Sequence, residues 1–140
     1  MIRCMELALD DAGVSPARVR HVYAHGTGTR DNDRCEAEAI ASLLPHRPSV
    51  SASKGLLGHT IGAAGAIDAV LAVKTLGTGR AVPCVNLDVP DPGCDLNFAR
   101  DAELPEPHLT SDAAVMVNTF AFGGQNAALL LGPAPSTSRV

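Results

Sequence analysis

Apolar positions recur at helical spacing from the first residue. Met1, Met5, Ala8, Leu9 and Ala12 share one stripe, which predicts an amphipathic helix over 1–12, with Gly13 as its stop. Ser15-Pro16 has the form of an N-cap followed by the first position of a single turn. The period then changes. Arg20 to Ala24 reads as a strand, with His21, Tyr23 and His25 on one face and Val22 and Ala24 on the other. Asp33 is placed to cap a second helix, with Glu36 three residues on in the capping-box position, and that helix ends before Pro45. Ser49 to Ser53 is a short extended stretch. After the turn KGLLGH comes a helix of small residues from Thr60 to Leu76. Its Gly62, Ala63, Ala66, Ala69 and Val73 predict a thin face that another backbone can approach. Residues 82–112 show no period and hold Pro83, Pro90, Pro92, Pro105 and Pro107; a connection of that length inside a compact domain is functional or covering. Ala113 to Phe120 and Asn126 to Leu131 are two final strands joined by the turn AFGGQ. Helices alternating with strands, then a closing hairpin, predict an α/β layer fold with a mixed sheet. One domain is expected over 1–132, with a disordered tail over 133–140.

Composition changes this picture in two ways. The 140 residues are 46% hydrophobic but only 3% aromatic, so Ala, Val, Leu and Gly must build the core through close backbone packing. The net charge of −4, with one Tyr and three Phe, argues against nucleic-acid binding, which needs a basic face and stacking rings. No apolar run approaches the length of a bilayer span, so no membrane helix is expected, and the opening MIRCMELALDD carries acids where a signal peptide is apolar. Cys4, Cys35, Cys84 and Cys94 show no CxxC spacing and read as reduced thiols of a cytoplasmic protein.

Three stretches place a polar or aromatic residue at a strand end or turn beside glycines: His25-Gly-Thr-Gly-Thr29, Lys54-Gly-Leu-Leu-Gly-His59 and Phe120-Ala-Phe-Gly-Gly-Gln-Asn126. In α/β sheets, sites form where strand ends meet loops. Taken singly, His25 also fits a capped or surface ring, Lys54 and His59 a solvated turn, and Phe122 a plug over the hairpin. Neither GxxxxGK[ST] nor a complete GxGxxG occurs, so no phosphate loop is expected. A metal site from His21, His25 and Cys35 lacks tight ligand spacing, and no metal or cofactor is expected.

In order along the chain stand HGTGT, D-x-x-E (Asp33, Glu36), K-x-x-x-G-H (Lys54, Gly58, His59), G-A-A-G-A (Gly62 to Ala66), NLDVPDPGCDLNF (Asn86 to Phe98) and N-x-F-x-F-G-G (Asn118 to Gly124). This ordered set resembles the C-terminal half of a β-ketoacyl synthase, a condensing enzyme of the thiolase-like superfamily. The resemblance covers nearly the whole chain. It implies decarboxylative Claisen condensation of an acyl thioester with malonyl, both delivered on the phosphopantetheine of an acyl carrier protein, in fatty acid or polyketide biosynthesis. It implies that His25 and His59 are two donors to the enolate left by loss of CO₂, and that Lys54 is the active-site lysine. Asp33 and Glu36 are implied to be supporting acids, although a helix cap plus a carboxylate favoured by the helix dipole fits them equally. Phe122 is implied to gate the acyl tunnel, with the backbone N–H groups at Phe122 and Gly123 serving the acyl oxyanion. His21 shares a strand face with His25 but matches no motif. Family members are homodimers, but the resemblance places that interface mainly in the other half, so a dimer is possible here and the oligomeric state is left open.

Four departures from the pattern matter. The family's nucleophilic cysteine sits in a T-A-C-S-like turn of the N-terminal half, and no such segment occurs here. The half also begins with a strand, whereas this chain starts inside the following helix. That predicts a vacant central sheet position, exposed apolar surface and a need for the N-terminal half of a synthase as partner. Ala121 replaces a glycine usual in the gating turn, and Asp68 stands where many members have glutamate. The other reading is a non-catalytic remnant or partner subunit that binds a synthase or carrier protein. Without the nucleophile turn, the chain incubated alone with an acyl-loaded carrier protein should show no stoichiometric acyl adduct by intact mass; one acyl group on a single cysteine contradicts this.

Overall fold

A computed structural model of the chain describes residues 1–102, 104 and 112–133; apart from Pro133, the expected tail lies outside them. Helix α1 (Ile2–Ala12) closes on Gly13 in the left-handed conformation. A single 3₁₀ turn (Pro16–Arg18) follows, as the Ser-Pro pair predicts. Strand β1 (Val19–Tyr23), helix α2 (Arg30–Leu43), strand β2 (Ser49–Ser51) and the four-residue helix α3 (Lys54–Leu57) come next. A 3₁₀ turn (Ile61–Ala63) leads into α4 (Ala64–Thr78), and β3 (Asn97–Phe98), β4 (Ala114–Phe120) and β5 (Asn126–Leu131) complete the described elements.

The strands form one mixed sheet in the order β3-β2-β1-β4-β5. β1 is parallel to both β2 and β4, and β5 returns antiparallel to β4, with Phe120 opposite Asn126. This is the expected α/β mixed sheet with its closing hairpin. The expected central vacancy is not found. β1 and β4 bond directly, with Val22 beside Met116 and Tyr23 beside Val117, so no strand position between them stands open.

Two apolar layers sandwich the sheet. On one face Met5 and Leu9 of α1 and Ala39, Ile40 and Leu44 around α2 pack on Val22, Val50 and Met116. On the other, Ala72 of α4 packs on Tyr23, Val115 and Val117. The period-two alternation of β1 and β4 sends neighbouring side chains to opposite layers. Both strands are buried almost end to end, as parallel strands covered on both faces must be.

Three sequence expectations need correction. First, α2 begins at Arg30 after an N-cap at Thr29. Asp33 therefore lies inside the first turns, and Glu36 is free to do something other than cap. Second, α4 buries Ala64, Asp68, Ala72 and Thr75, not the Gly62-Ala66-Val73 side, which faces solvent. Apolar character runs round most of this helix, so the smallest side chains do not mark the covered face; the buried polar side chains Asp68 and Thr75 do, because they find partners there. Third, Ile61–Thr78 is long and apolar enough by length and composition to cross a membrane, with mean hydropathy 1.3. Scattered Ala, Val and Leu give that average without any unbroken run. β3 is the element without a sequence signal, two residues inside the proline-rich connection that add an edge to β2.

α4 lies close against the sheet at Gly65, where a Cβ would come within 2.8 Å of Thr119 Oγ1. The β-branched threonine has little rotamer freedom to withdraw. Gly65→Ala should therefore destabilise the fold by about 1–3 kcal/mol, as overpacking does. In a Thr119→Ala background the same change should stabilise, because the helix propensity gain of about 1 kcal/mol is then unopposed. Denaturant midpoints of the four-member cycle test this; a Gly65→Ala effect of the same sign in both backgrounds refutes the close approach.

Candidate functional site

The carboxyl ends of β1, β2 and β4 lie side by side, and β1 is where the chain turns toward β2 on one flank while β4 returns on the other. Such a switch point in a parallel sheet opens a crevice. β1 runs into His25, β2 into Ser53 and Lys54, and β4 into Phe120. The three stretches singled out in the sequence are thus delivered to one place by the topology.

Glu36 holds this crossing together. Glu36 is 2% exposed, and its carboxylate accepts the backbone N–H of His25 at 2.8 Å and of Gly26 at 2.9 Å. Asn118 Nδ2 of β4 donates to the same carboxylate at 3.1 Å. Burial pushes the Glu36 carboxyl above its ordinary value, while these donors pull it down. Gly26 has φ 41, and a Cβ there would stand 2.7 Å from that of Ala52, so only glycine lets the exits of β1 and β2 lie so close. Glu36 is therefore a backbone clamp on His25, not a helix cap.

His25 is 6% exposed. Its ring meets the His59 ring edge to face, with centroids 5.7 Å apart and planes at 83°, and lies 6.0 Å from the Phe120 ring. Burial first, then the Lys54 ammonium and the His59 ring, hold the His25 imidazole at about 4, below its ordinary 6.5; Asp33 pulls the other way. His59 Nδ1 accepts the Ile61 backbone N–H at 3.0 Å, so the neutral ring carries its proton on Nε2.

The Lys54 side chain is 6% exposed, with Nζ 3.8 Å from Asp68 Oδ2. Ser53 Oγ donates to Asp68 Oδ1 at 2.5 Å. Burial raises the Asp68 carboxyl, against the lowering effects of Ser53 and Lys54. Lys54 Nζ, Asp68 Oδ2 and His25 Nδ1 are buried without a hydrogen-bond partner among the described residues. Asp33, Lys54 and His59 line a cavity of about 410 Å³ under the connection that carries Cys84, Asn86 and Cys94.

His25, His59, Lys54 and Glu36 therefore converge, and Asp33 lies on the cavity wall. Phe122 is fully exposed at 104%, on a 3₁₀ turn where Gly123 takes φ 82. Phe120, two residues earlier, is the ring beside His25. His21 is wholly buried and stacks edge-on with Tyr23 at 4.7 Å, so it belongs to the core. Among the described residues no three His, Cys, Asp or Glu side chains form a cluster that could hold a metal ion. Asn118 opens the N-x-F-x-F-G-G motif, but its role as a donor to Glu36 is what sequence reasoning misses. Its signal is strand period, which puts it with Met116 on the face toward α1 and α2.

Comparison with known proteins gives a consistent result. The profile of the "Beta-ketoacyl synthase, C-terminal domain" family matches residues 1–88. The 3-oxoacyl-[acyl-carrier-protein] synthase 2 of Coxiella burnetii is 41% identical over 131 residues, 91% of this chain and 31% of that protein. A β-ketoacyl synthase from Burkholderia phymatum STM815 superimposes with TM-score 0.86 at 36% identity, covering 96% of this chain and 32% of that one. A type II PKS acyl-carrier protein in complex with its ketosynthase bound to the hexaketide gives TM-score 0.82 at 26% identity, over 96% of this chain and 33% of that one. The chain spans about a third of the length of the relatives it matches.

The low value at His25 has a direct consequence. A histidine whose folded value lies below its unfolded one favours the neutral form, so its contribution to stability is complete above about pH 6.5. That contribution, on the order of 3 kcal/mol, is lost as pH falls toward about 4. Glu36 and Asp68, raised instead of lowered, act in the opposite sense, so the His25 signal itself is the clean observable. Its side-chain NMR resonances should stay those of a neutral imidazole until about pH 4; protonation near pH 6.5 contradicts the burial argument.

Proposed function

Because the chain belongs to the β-ketoacyl synthase C-terminal domain family, we propose that it supplies the decarboxylating half of a β-ketoacyl synthase active site, acting as an acyltransferase only in the completed enzyme. In this reading malonyl arrives as a thioester on an acyl carrier protein, the kind of partner named for the ketosynthase complex above. The bond from the α-carbon to the carboxylate breaks, CO₂ leaves, and the electron pair passes onto the thioester oxygen as an enolate. The enolate carbon then attacks the carbonyl carbon of an acyl group held as a thioester on a cysteine of the other two-thirds of the enzyme; the new C–C bond forms, the C–S bond breaks, and the cysteine leaves as a thiolate.

The observation that carries this is the His25–His59 pair. Two N–H···O bonds of roughly 2.9 Å meeting at about a right angle on one oxygen put two ring centres about 5–6 Å apart, which agrees with the observed 5.7 Å between centroids. The low value at His25 keeps that ring neutral, so it stabilises the oxyanion as a donor without acting as an acid. Lys54, fixed and buried, lowers the His25 value further and adds positive potential where negative charge develops. Preorganised donors of this kind act most strongly in a dry site.

Two further observations support completion by another segment. Burial raises the thiols of Cys4, Cys84 and Cys94, the opposite of what a nucleophile needs, and Cys35 is exposed on α2. Leu56, Ile61, Val70, Val73 and Phe122 are each more than half exposed and belong to α3, α4 and the turns at the site, as expected of a face that the remainder of a synthase covers.

In the completed enzyme, His25→Ala and His59→Ala should each slow malonyl decarboxylation by at least ~10²-fold, the scale of one lost oxyanion donor, while acyl transfer to the cysteine suffers less. Buried His21 would disturb the core, so exposed His46, whose Nε2 contacts the Val19 carbonyl, is the control. Separate decarboxylation and acylation assays decide: if His46→Ala matches His25→Ala, or His59→Ala abolishes acylation alone, the assigned roles are wrong.

A further inference from the structure

The segment from Lys54 to His59 has little support of its own. α3 has four residues, and Gly55, Leu56 and Leu57 are all exposed, so it buries scant apolar surface. Ser53 holds its start: its carbonyl accepts the N–H groups of Leu56 at 3.0 Å and Leu57 at 2.9 Å. Over its other side runs the irregular strap 81–87.

That strap is tied down along its length. Ser51 Oγ donates to the Val82 carbonyl, and the Val82 N–H donates to the Tyr23 hydroxyl at 3.2 Å. The Cys84 N–H donates to the Ala99 carbonyl at 2.8 Å. The Arg100 guanidinium donates to the Leu87 carbonyl. Between these anchors the backbone reverses at Asn86, with φ 60, and the Asn86 amide donates to the Gly55 carbonyl at 3.1 Å. A Cβ on Gly55 would stand 2.8 Å from the Val85 carbonyl oxygen. Strap and helix thus touch backbone to backbone, and the one side-chain hydrogen bond joining them among the described residues comes from Asn86.

Asparagine suits this place twice over. It tolerates the left-handed region better than most residues, and its amide supplies the donor. Gly55 follows Lys54 directly, and His59 follows the end of α3 after Gly58, so a shift of α3 carries both groups relative to His25, which Glu36 holds independently.

We propose that Asn86 is a positioning residue, which pins α3 through the Gly55 carbonyl and so sets where Lys54 and His59 stand against His25. Its consequence for rate rests on the decarboxylation reading above; its consequence for geometry does not.

The test uses Asn86→Gly, which keeps the left-handed turn and removes the amide, and Asn86→Asp, which keeps the shape but turns acceptor oxygens toward an acceptor. In the 140-residue chain, histidine side-chain NMR should show both variants moving the His59 resonances while those of His46 stay in place. In the completed synthase, both should lower kcat for decarboxylation about tenfold, the scale of one hydrogen bond, with acyl transfer changed less than about twofold. Unmoved His59 resonances in both variants overturn the proposal, whatever the rates do. Moved resonances in an enzyme that does not decarboxylate at all uphold the positioning role and remove the reaction assigned to the site.

Discussion

One buried carboxylate organises this domain. Glu36 reaches from α2 into the gap at the end of β1 and accepts two consecutive backbone N–H groups there, with a third donor arriving from β4. A carboxylate taken out of water is costly unless its oxygens are satisfied, and here three donors from two strands satisfy them. The grip removes backbone freedom at the point where β1 stops, so the His25 ring inherits its place from the sheet instead of from a mobile loop. It also couples layers: Asn118, which donates to Glu36, lies 3.4 Å from the Met5 sulfur of α1, so the apolar packing of α1 and the placement of His25 are parts of one arrangement.

Around this clamp, burial is the dominant electrostatic effect. It is the largest cause of the lowered value at His25 and of the raised values at Glu36 and Asp68. All three shifts favour the neutral form, as removal from water must. The Lys54–Asp68 pair, at 3.8 Å, attracts, yet desolvation outweighs that attraction at Asp68. Burial of this kind resists protonation at His25, which the proposed role of its ring as an N–H donor to an oxyanion requires. The Glu36 grip at the end of β1 holds the buried His25 in place, whereas His59, beyond α3, is exposed.

Much of the fold is legible in the residue pattern alone. The stripe of α1, its stop at Gly13, the single turn at Pro16 and the two terminal strands are all readable, because each rests on interactions between residues close in the chain. The motif order around His25, Lys54, His59 and Asn118 is equally plain, and these stretches do meet. Capping signals mislead at α2, since Asp33 and Glu36 fit a capping box locally while Thr29 starts the helix. The small-residue face of α4 misleads too: nearly every side of that helix is apolar, and which side is covered depends on where Ser53 and Tyr23 wait for Asp68 and Thr75.

Residue order therefore settled which side chains exist for the chemistry and which local elements carry them. It did not settle what those side chains do to one another. Whether Glu36 caps a helix or clamps a backbone depends on an 11-residue separation in the chain that β1 and α2 close in space. Asn86 and Gly55, 31 residues apart, become neighbours only when the connection folds back over α3. The low value at His25 arises from burial by the assembled layers and from Lys54, which stands on the exit of a different strand. Those are long-range contacts, and no period or motif in the chain encodes a distance.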